Sequence, residues 1–281
     1  MVRNMGFKEL LKKVVPESVL HEIPRSFDIV GEAAIIELPE KFLDYGQLIG
    51  EAIKSINKNI KAVYAKTTNV SGIYRTPKIV LIWGEDLKYT LYKEYGVTFV
   101  VSLGEVYVNP RLAYEHVRVA RMVEEGETII DMFAGIGGFT LHIASRSTST
   151  TYAIDINPEA IKCLALALSL NRIKGKVICI RGDSKSIIPK YLKGVASRVI
   201  MNLPLYSKEF IESALMGLKE EGGIIHYYSI GESASHVITQ FISSIRRAGG
   251  FVGKILTYRR VFEYSPYINV YVVDAWAYPV L

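Results

Sequence analysis

Thr128 to Phe139 reads TIIDMFAGIGGF. A short apolar run of strand length meets a glycine-rich turn, and the apolar face of a helix follows. That order is the device that holds a nucleotide-like cofactor on bare backbone. Gly135, Gly137 and Gly138 allow backbone angles and close approaches that a side chain would block. Further polar groups stand where later apolar runs end. YAIDINP places Asp155, followed by Ile156, at the end of the second run. A lone carboxylate there is costly unless partnered, and an acid at this point of such folds accepts hydrogen bonds from ribose hydroxyls. RGDS places Asp183 and Ser184 at the end of the third, where Asp183 suits an adenine amino group or, alternatively, caps a turn. VIMNLPLYS places Asn202 and Pro204 at the end of the fourth. Asn202 offers a donor and an acceptor to a base edge and Pro204 stiffens its turn; a plain helix-leading turn is the competing role.

Four polar groups reach one crevice only if the runs are neighbouring strands. From Thr128 onward strands and helices alternate, which favours a parallel sheet with crossovers. Strands are expected near 128–132, 151–155, 177–180, 197–201, 223–228, 251–258 and 269–276, with helices near 138–146, 158–171, 185–193, 207–219 and 233–247. The last two strands are close enough in sequence to be an antiparallel pair. The preceding part reads differently: a helix over 7–20, a bent strand over 28–38, a helix from Pro39 to about Asn57, and short strands at 62–66, 78–83, 89–94, 97–103 and 106–108. NVSGIYRTP between Asn69 and Pro77 is turn chemistry. With little regular βα alternation, residues 1–111 read as a small α+β domain. A helix from about Leu112 to Val123 leads into the second domain, 112–281.

The 281 residues are 49% hydrophobic and 22% charged, which excludes disorder and allows a buried core. No apolar run spans a bilayer, and charges in MVRNMGFKELLKKVVPESVL stand where a signal peptide needs apolar residues. Cys163 and Cys179 lack metal-ligand spacing, so reduced thiols in a cytoplasmic protein are expected. A net charge of +6 permits a polyanionic partner without requiring one. The basic residues are dispersed. The 18 tyrosines against 10 phenylalanines include rings able to stack on bases, although ordinary half-buried packing accounts for most.

A nicotinamide-binding fold would share the Asp155 argument. The glycines here run G-x-G-G, however, and Thr140 stands where the third glycine of G-x-G-x-x-G would be. This favours S-adenosyl-L-methionine over a nicotinamide cofactor.

SGIYRTP, GEVYVNPRLAYEH, DMFAGIGGF, YAIDINP, GDS, MNLP and GGIIHYYSIGE, in that order, resemble the archaeal and eukaryotic tRNA (guanine-37) N1-methyltransferases. The resemblance runs from about residue 25 to the end. It implies a class I S-adenosylmethionine-dependent methyltransferase fold, α/β and Rossmann-like with a mostly parallel seven-stranded sheet, preceded by a small α+β domain that faces RNA, and methyl transfer from S-adenosylmethionine to guanine N1 beside the anticodon. Methylating N1 requires a base for its proton and tolerance of charge building toward O6. The resemblance implies Glu115 as the base and Arg75 as the O6 donor. A general base is worth about 10²–10⁴ in rate, and a placed oxyanion donor roughly 2.7–4 kcal/mol. Spacing alone reads Glu115 as a surface carboxylate paired with Arg118 or Arg111, and Arg75 as a loop salt bridge. The resemblance also implies Arg111 at a phosphate, His116 at the cofactor and Tyr107 over the cofactor or the flipped guanine. Phe133 would shelter the methionine end of the cofactor; strand packing is its alternative.

Two departures stand out. Many archaeal members carry a further N-terminal module thought to check the tRNA's outer corner, for which this chain reads as too short. Leu203 and Leu205 flank Pro204 where amino-group methylases often have N-P-P-aromatic, which favours a ring nitrogen over an exocyclic amine. The expected partner is a tRNA anticodon stem-loop, bound by a monomer. The rivals are an aminocarboxypropyl transferase of the wybutosine pathway on the same scaffold, a methylase acting also on carbon 7 of a tricyclic guanine derivative, and a tRNA-binding module without catalysis. Asn202-Leu203-Pro204 argues against the first, and the intact acid, amide and arginine set against the last.

Overall fold

The computed structural model describes residues 7–24, 26–67, 72, 74 and 76–279. The chain divides into two units, Met1–Pro110 and Arg111–Leu281. In the first, the helix expected over 7–20 is two: α1 (Phe7–Val14) and α2 (Glu17–Leu20). Pro16 separates them, since a proline interior to a helix removes a donor and clashes with the preceding turn. Strand β1 (Asp28–Val30) turns at Gly31, φ 60°, into antiparallel β2 (Ala33–Glu37). A 3₁₀ turn over Glu40–Tyr45 precedes α3 (Gly46–Ile56), which crosses to β3 (Ala62–Lys66), parallel to β2. One βαβ crossover is therefore present where little alternation was expected. Strand β4 (Ile79–Gly84) completes a sheet in sequence order, and β5 (Tyr89–Glu94) with β6 (Val97–Ser102) forms a separate hairpin. Val106–Val108, expected as a strand, is a bend and irregular chain between Gly104, φ 79°, and Pro110. The unit's core gathers Leu11, Ile36, Ile49, Ile53, Ile60 and Val63, all nearly inaccessible. Each contributes about 1.5–3 kcal/mol by leaving water.

The second unit begins with α4 (Ala113–Met122). Then β7 (Thr128–Asp131), α5 (Gly138–Arg146), β8 (Thr150–Asp155), α6 (Pro158–Ser169), β9 (Lys176–Arg181), α7 (Ser184–Tyr191) and β10 (Arg198–Met201) follow in alternation. After them come α8 (Ile211–Gly217), β11 (Gly223–Gly231), α9 (Ala234–Arg247) and the hairpin of β12 (Phe251–Ser265) and β13 (Ile268–Tyr278). The sheet order is β12-β13-β11-β10-β7-β8-β9. Five strands, β11 to β9 in that order, run parallel. The terminal hairpin is antiparallel and longer than expected. Edge strand β12 carries several register shifts against β13, irregularities that discourage pairing with another chain.

Side chains alternate across this sheet. Ile130, Val199 and Tyr227 pack with Ile188, Leu215 and Phe241 of α7, α8 and α9. Ile129, Ile200 and Tyr228 pack on the opposite face with Val119, Phe139 and Ile143 of α4 and α5. The chain proceeds outward from β7 through β8 to β9, then returns to β10 on the other side of β7. That reversal makes the tips of β7 and β10 a topological switch point, where open α/β sheets bind ligands. Both cysteines are free thiols. Among the described residues, no helix is long and apolar enough to cross a membrane.

Candidate active site

Beyond Asp131 the chain continues between its neighbours: Met132 N–H donates to the Ile200 carbonyl (3.1 Å) and Ala134 N–H to that of Ile154 (2.9 Å). Then the glycines take over, each for its own reason. Gly137 has φ 96° and begins the turn into α5. A Cβ on Gly138 would lie 2.5 Å from His116 Nε2, so the helix start and the His116 ring could not both stay in place. Gly135 has φ 55°, and a Cβ there would meet nothing within 4 Å. Its N–H donates to Asp155 Oδ2 (2.7 Å), and Asn157 N–H donates to Oδ1 (2.8 Å). Burial raises the Asp155 carboxyl; these two backbone donors pull against the rise. Each oxygen keeps acceptor capacity for a further hydroxyl. Exposed Ile156 follows at the rim.

Asp183 is the N-cap of α7, its Oδ1 accepting from Lys185 N–H (3.0 Å). The capping role is therefore present, through one oxygen. Ser184 donates its hydroxyl to the Met132 carbonyl (2.6 Å), which ties the start of α7 to the glycine loop. Phe133 stands edge-on to Phe210, ring centroids 4.8 Å apart. Asn202 and Pro204 follow β10 half-buried. The Leu203 carbonyl accepts from Tyr206 and Ser207 N–H, both at 2.8 Å, which shapes the turn. Residues separated by up to about seventy positions thus meet at the tips of β7, β8, β9 and β10, as the alternation required.

Asp131 lies inside the strand expected near 128–132, where the pattern marks no site residue, and ends β7. It is wholly buried, with Oδ2 accepting from the Thr140 hydroxyl (2.8 Å) and Oδ1 without a hydrogen bond among the described residues. Burial, opposed by Thr140 and reinforced by the Asp155 charge, lifts its carboxyl to about 7. The available signal was an acid at the junction of an apolar run and the glycines.

Glu115 is 1% exposed on α4, so the surface placement read from spacing does not hold, whereas the pairing with Arg118 does. Its Oε2 accepts from Arg118 Nε (3.0 Å) and from the Tyr228 hydroxyl (2.8 Å). Among the described residues Oε1 has no hydrogen-bond partner, and it lies 3.1 Å from an Arg259 guanidinium nitrogen. Tyr228 follows Tyr227, which pairs in register with Met201, so Glu115 is held level with the Asn202 tip on the α4–α5 face.

From Glu115 a buried relay crosses the sheet. Arg118 donates to Asp274 Oδ2 (2.5 Å), Asp274 Oδ1 meets His226 Nδ1 (2.7 Å), and His226 Nε2 meets Arg198 (2.9 Å). Arg198 ends in two 2.8 Å bonds to Glu127. An arginine can only donate, so His226 Nε2 accepts and its proton sits on Nδ1, toward Asp274. Burial, partly offset by Asp274, also lowers the His226 pKa and favours this neutral form. With His226 neutral, Arg118 and Arg198 face Glu115, Asp274 and Glu127, and Arg259 supplies the third positive charge. Buried charges persist only when paired in this way.

His116 is buried, edge-on to Phe139 at 4.8 Å between centroids. Arg111 is exposed at the start of the second unit. Tyr107 is exposed in the first unit, its hydroxyl accepting from Asn109 Nδ2 (3.2 Å). Arg75 lies outside the described residues.

A family model described as the TRM5/TYW2 methyltransferase domain matches residues 90–249, and one described as the TYW2 N-terminal domain matches residues 7–87. The chain is 42% identical over 229 residues to the tRNA (guanine(37)-N(1))-methyltransferase Trm5b of Pyrococcus abyssi, covering 82% of this chain; it spans 66% of that relative's length. A crystal structure of wild-type Trm5b from Pyrococcus abyssi superposes with TM-score 0.85 at 36% identity, covering 99% of this chain and 82% of that one. The complex structure of aTrm5 and tRNALeu superposes with TM-score 0.83 at 31% identity, covering 98% and 79%. The expected architecture, a class I methyltransferase sheet preceded by a small α+β domain, is the one found.

Proposed function

The chain belongs to the TRM5/TYW2 methyltransferase family, and on that premise we propose that it methylates N1 of the guanine at position 37 of tRNA, 3′ to the anticodon. Residues 112–281 carry the reaction and residues 1–111 face the RNA. The protein acts as a monomer on the anticodon stem-loop. The observation that carries this reading is Glu115: a buried carboxylate level with the Asn202 tip, with Oε2 engaged and Oε1 without a hydrogen bond among the described residues.

The crevice suits S-adenosyl-L-methionine. Among the described residues nothing fills the space at Gly135, and Asp131 Oδ1 is a buried acceptor without a hydrogen bond, suited to a cationic amine. When bound, the cofactor supplies a methyl group on a positively charged sulfur. Asp155 takes ribose hydroxyls, Asp183 and Ser184 border the adenine, and Phe133 and His116 shelter the remainder. Asn202 holds the purine edge, with Pro204 fixing its turn. Glu115 receives the N1 proton through Oε1, and Arg75 donates to O6 as charge builds there. Arg111 meets a phosphate and Tyr107 covers the extruded base, which must leave its stack to be reached.

Nucleoside mass spectrometry of tRNA transcripts bearing guanine or another base at position 37 tests the reading: 1-methylguanosine is expected from the first only. Glu115→Gln is expected to slow single-turnover methyl transfer by about 10²–10⁴ while keeping cofactor affinity; an unchanged rate removes Glu115 from the role. A second reading, transfer of the aminocarboxypropyl group of the same cofactor, draws on the match of residues 7–87 to the TYW2 N-terminal domain. Carboxyl label rather than methyl label entering the tRNA would establish it. Neither label entering would leave a binding module.

A further inference from the structure

The relay leaves Glu115 with more positive charge than a proton acceptor needs. Arg118 and Tyr228 already hold Oε2, yet Arg259 stands a further 3.1 Å from Oε1. The two arginines differ in how firmly they are held. Arg118 is 13% exposed and is locked to Asp274. Arg259 is 37% exposed, rises from edge strand β12, and lies over the exposed Tyr114 ring, 4.5 Å from its centroid. Its approach to Oε1 also lacks hydrogen-bond geometry.

We propose that Arg259 is a releasable counter-ion: it neutralises Glu115 Oε1 in the free protein and turns onto a backbone phosphate when RNA docks, leaving Oε1 to accept the proton. The proposal rests on the methyltransferase reading above and deepens it, because it makes the base competent only when the substrate is in place. A guanidinium suits both stations, since it forks onto carboxylate and phosphate alike and stays charged throughout. Tyr114 gives the planar group a surface to pivot across. Arg259 is in this sense a positioning residue, acting through Glu115 and not on the reacting atoms.

The test is tRNA binding as a function of salt, without cofactor, for wild type, Arg259→Ala, Arg259→Lys and Glu115→Gln. Arg259→Ala is expected to weaken binding and to reduce the slope of log K against log salt by about 1, the signature of one phosphate contact. Arg259→Lys is expected to retain the slope. Glu115→Gln is expected to bind tRNA more tightly than wild type, because Arg259 no longer has to leave a charge, and adding Arg259→Ala should abolish that gain. In steady state the Arg259→Ala defect should fall more on KM than on kcat. A salt slope unchanged by Arg259→Ala, with the defect in kcat, would overturn the role. If wild type labels no tRNA at all, the function itself fails; if it methylates while the slope is unmoved, only the role of Arg259 fails.

Discussion

At the tips of β7 and β8 polar atoms are held with acceptor capacity still open, whereas along the α4–α5 face of the sheet, from Glu115 to Glu127, almost every donor meets an acceptor. Among the described residues Asp131 Oδ1 has no hydrogen bond and the Asp155 oxygens take one backbone N–H each. In the relay, Arg118, Asp274, His226, Arg198 and Glu127 close on one another, and Glu115 Oε1 is the exception. The contrast separates binding from support. A ligand can be held only by groups that the protein has not satisfied, and a buried charge can be tolerated only where it has. Glu115 belongs to both regions, with one oxygen in each condition.

Breaking the relay should therefore cost stability most. Asp274→Ala removes the acceptor shared by Arg118 and His226 and leaves the relay with one buried carboxylate too few for its guanidinium groups. The expected loss is about 3–5 kcal/mol, read from urea unfolding. A loss under 1 kcal/mol would mean that the relay is not a supporting structure. The pH dependence has a definite sign. Burial alone would raise Asp274, but His226 and Arg118 outweigh it and hold the carboxyl at about 2. Because this folded value lies below the unfolded one, its stabilisation, about 2–3 kcal/mol, is complete above pH 4 and is lost as pH falls toward 2. Asp274→Asn should flatten that limb.

How the two regions stood in the sequence follows from the same contrast. The crevice is built from residues within a few positions of a strand end, so Gly135, Asp155, Asp183 and Asn202 could be picked out by pattern, although Asp131 was absorbed into its strand. The relay has no such pattern. Arg118 and Asp274 are 156 positions apart, and Arg198 and Glu127 are 71 apart. Only the folded sheet brings them together, so spacing alone offers Arg118 or Arg111 as a partner for Glu115 on the surface, whereas the carboxylate is buried and the partner is Arg118. The alternating strands of the second unit were legible because buried parallel strands are apolar throughout. In the first unit Pro16 splitting a helix, and the loss of a strand between Gly104 and Pro110, are local breaks that periodicity overlooks.

On the binding side, Asp155→Ala should weaken S-adenosylmethionine binding by roughly 10–100-fold, the worth of hydrogen bonds to a charged acceptor, as measured by calorimetry. Its effect on unfolding should be smaller than that of Asp274→Ala, since only two neutral backbone N–H groups, those of Gly135 and Asn157, lose a partner. Unaltered cofactor affinity would contradict the placement of the ribose, and a stability loss equal to that of Asp274→Ala would erase the distinction between the regions.

The finest test concerns Asp131, whose carboxyl stands at about 7 because burial outweighs the Thr140 hydrogen bond and Asp155 adds a like charge. With the folded value above the unfolded one, ionising Asp131 works against the free protein, so its contribution to stability declines as pH rises from about 4 through 7. A cofactor bearing a cationic amine reverses the preference, since it favours the ionised carboxylate. Cofactor affinity should then rise with pH between 6 and 8, by no more than about tenfold, as the ionised fraction grows. Asp131→Asn should make the profile flat. Thr140→Val should carry the rise to higher pH, because removing the hydroxyl leaves the carboxylate with one stabilising donor fewer. A wild-type affinity that is constant across this range would mean that Asp131 Oδ1 is not the open valence that receives the amine, and that the crevice is less unlike the relay than its geometry indicates.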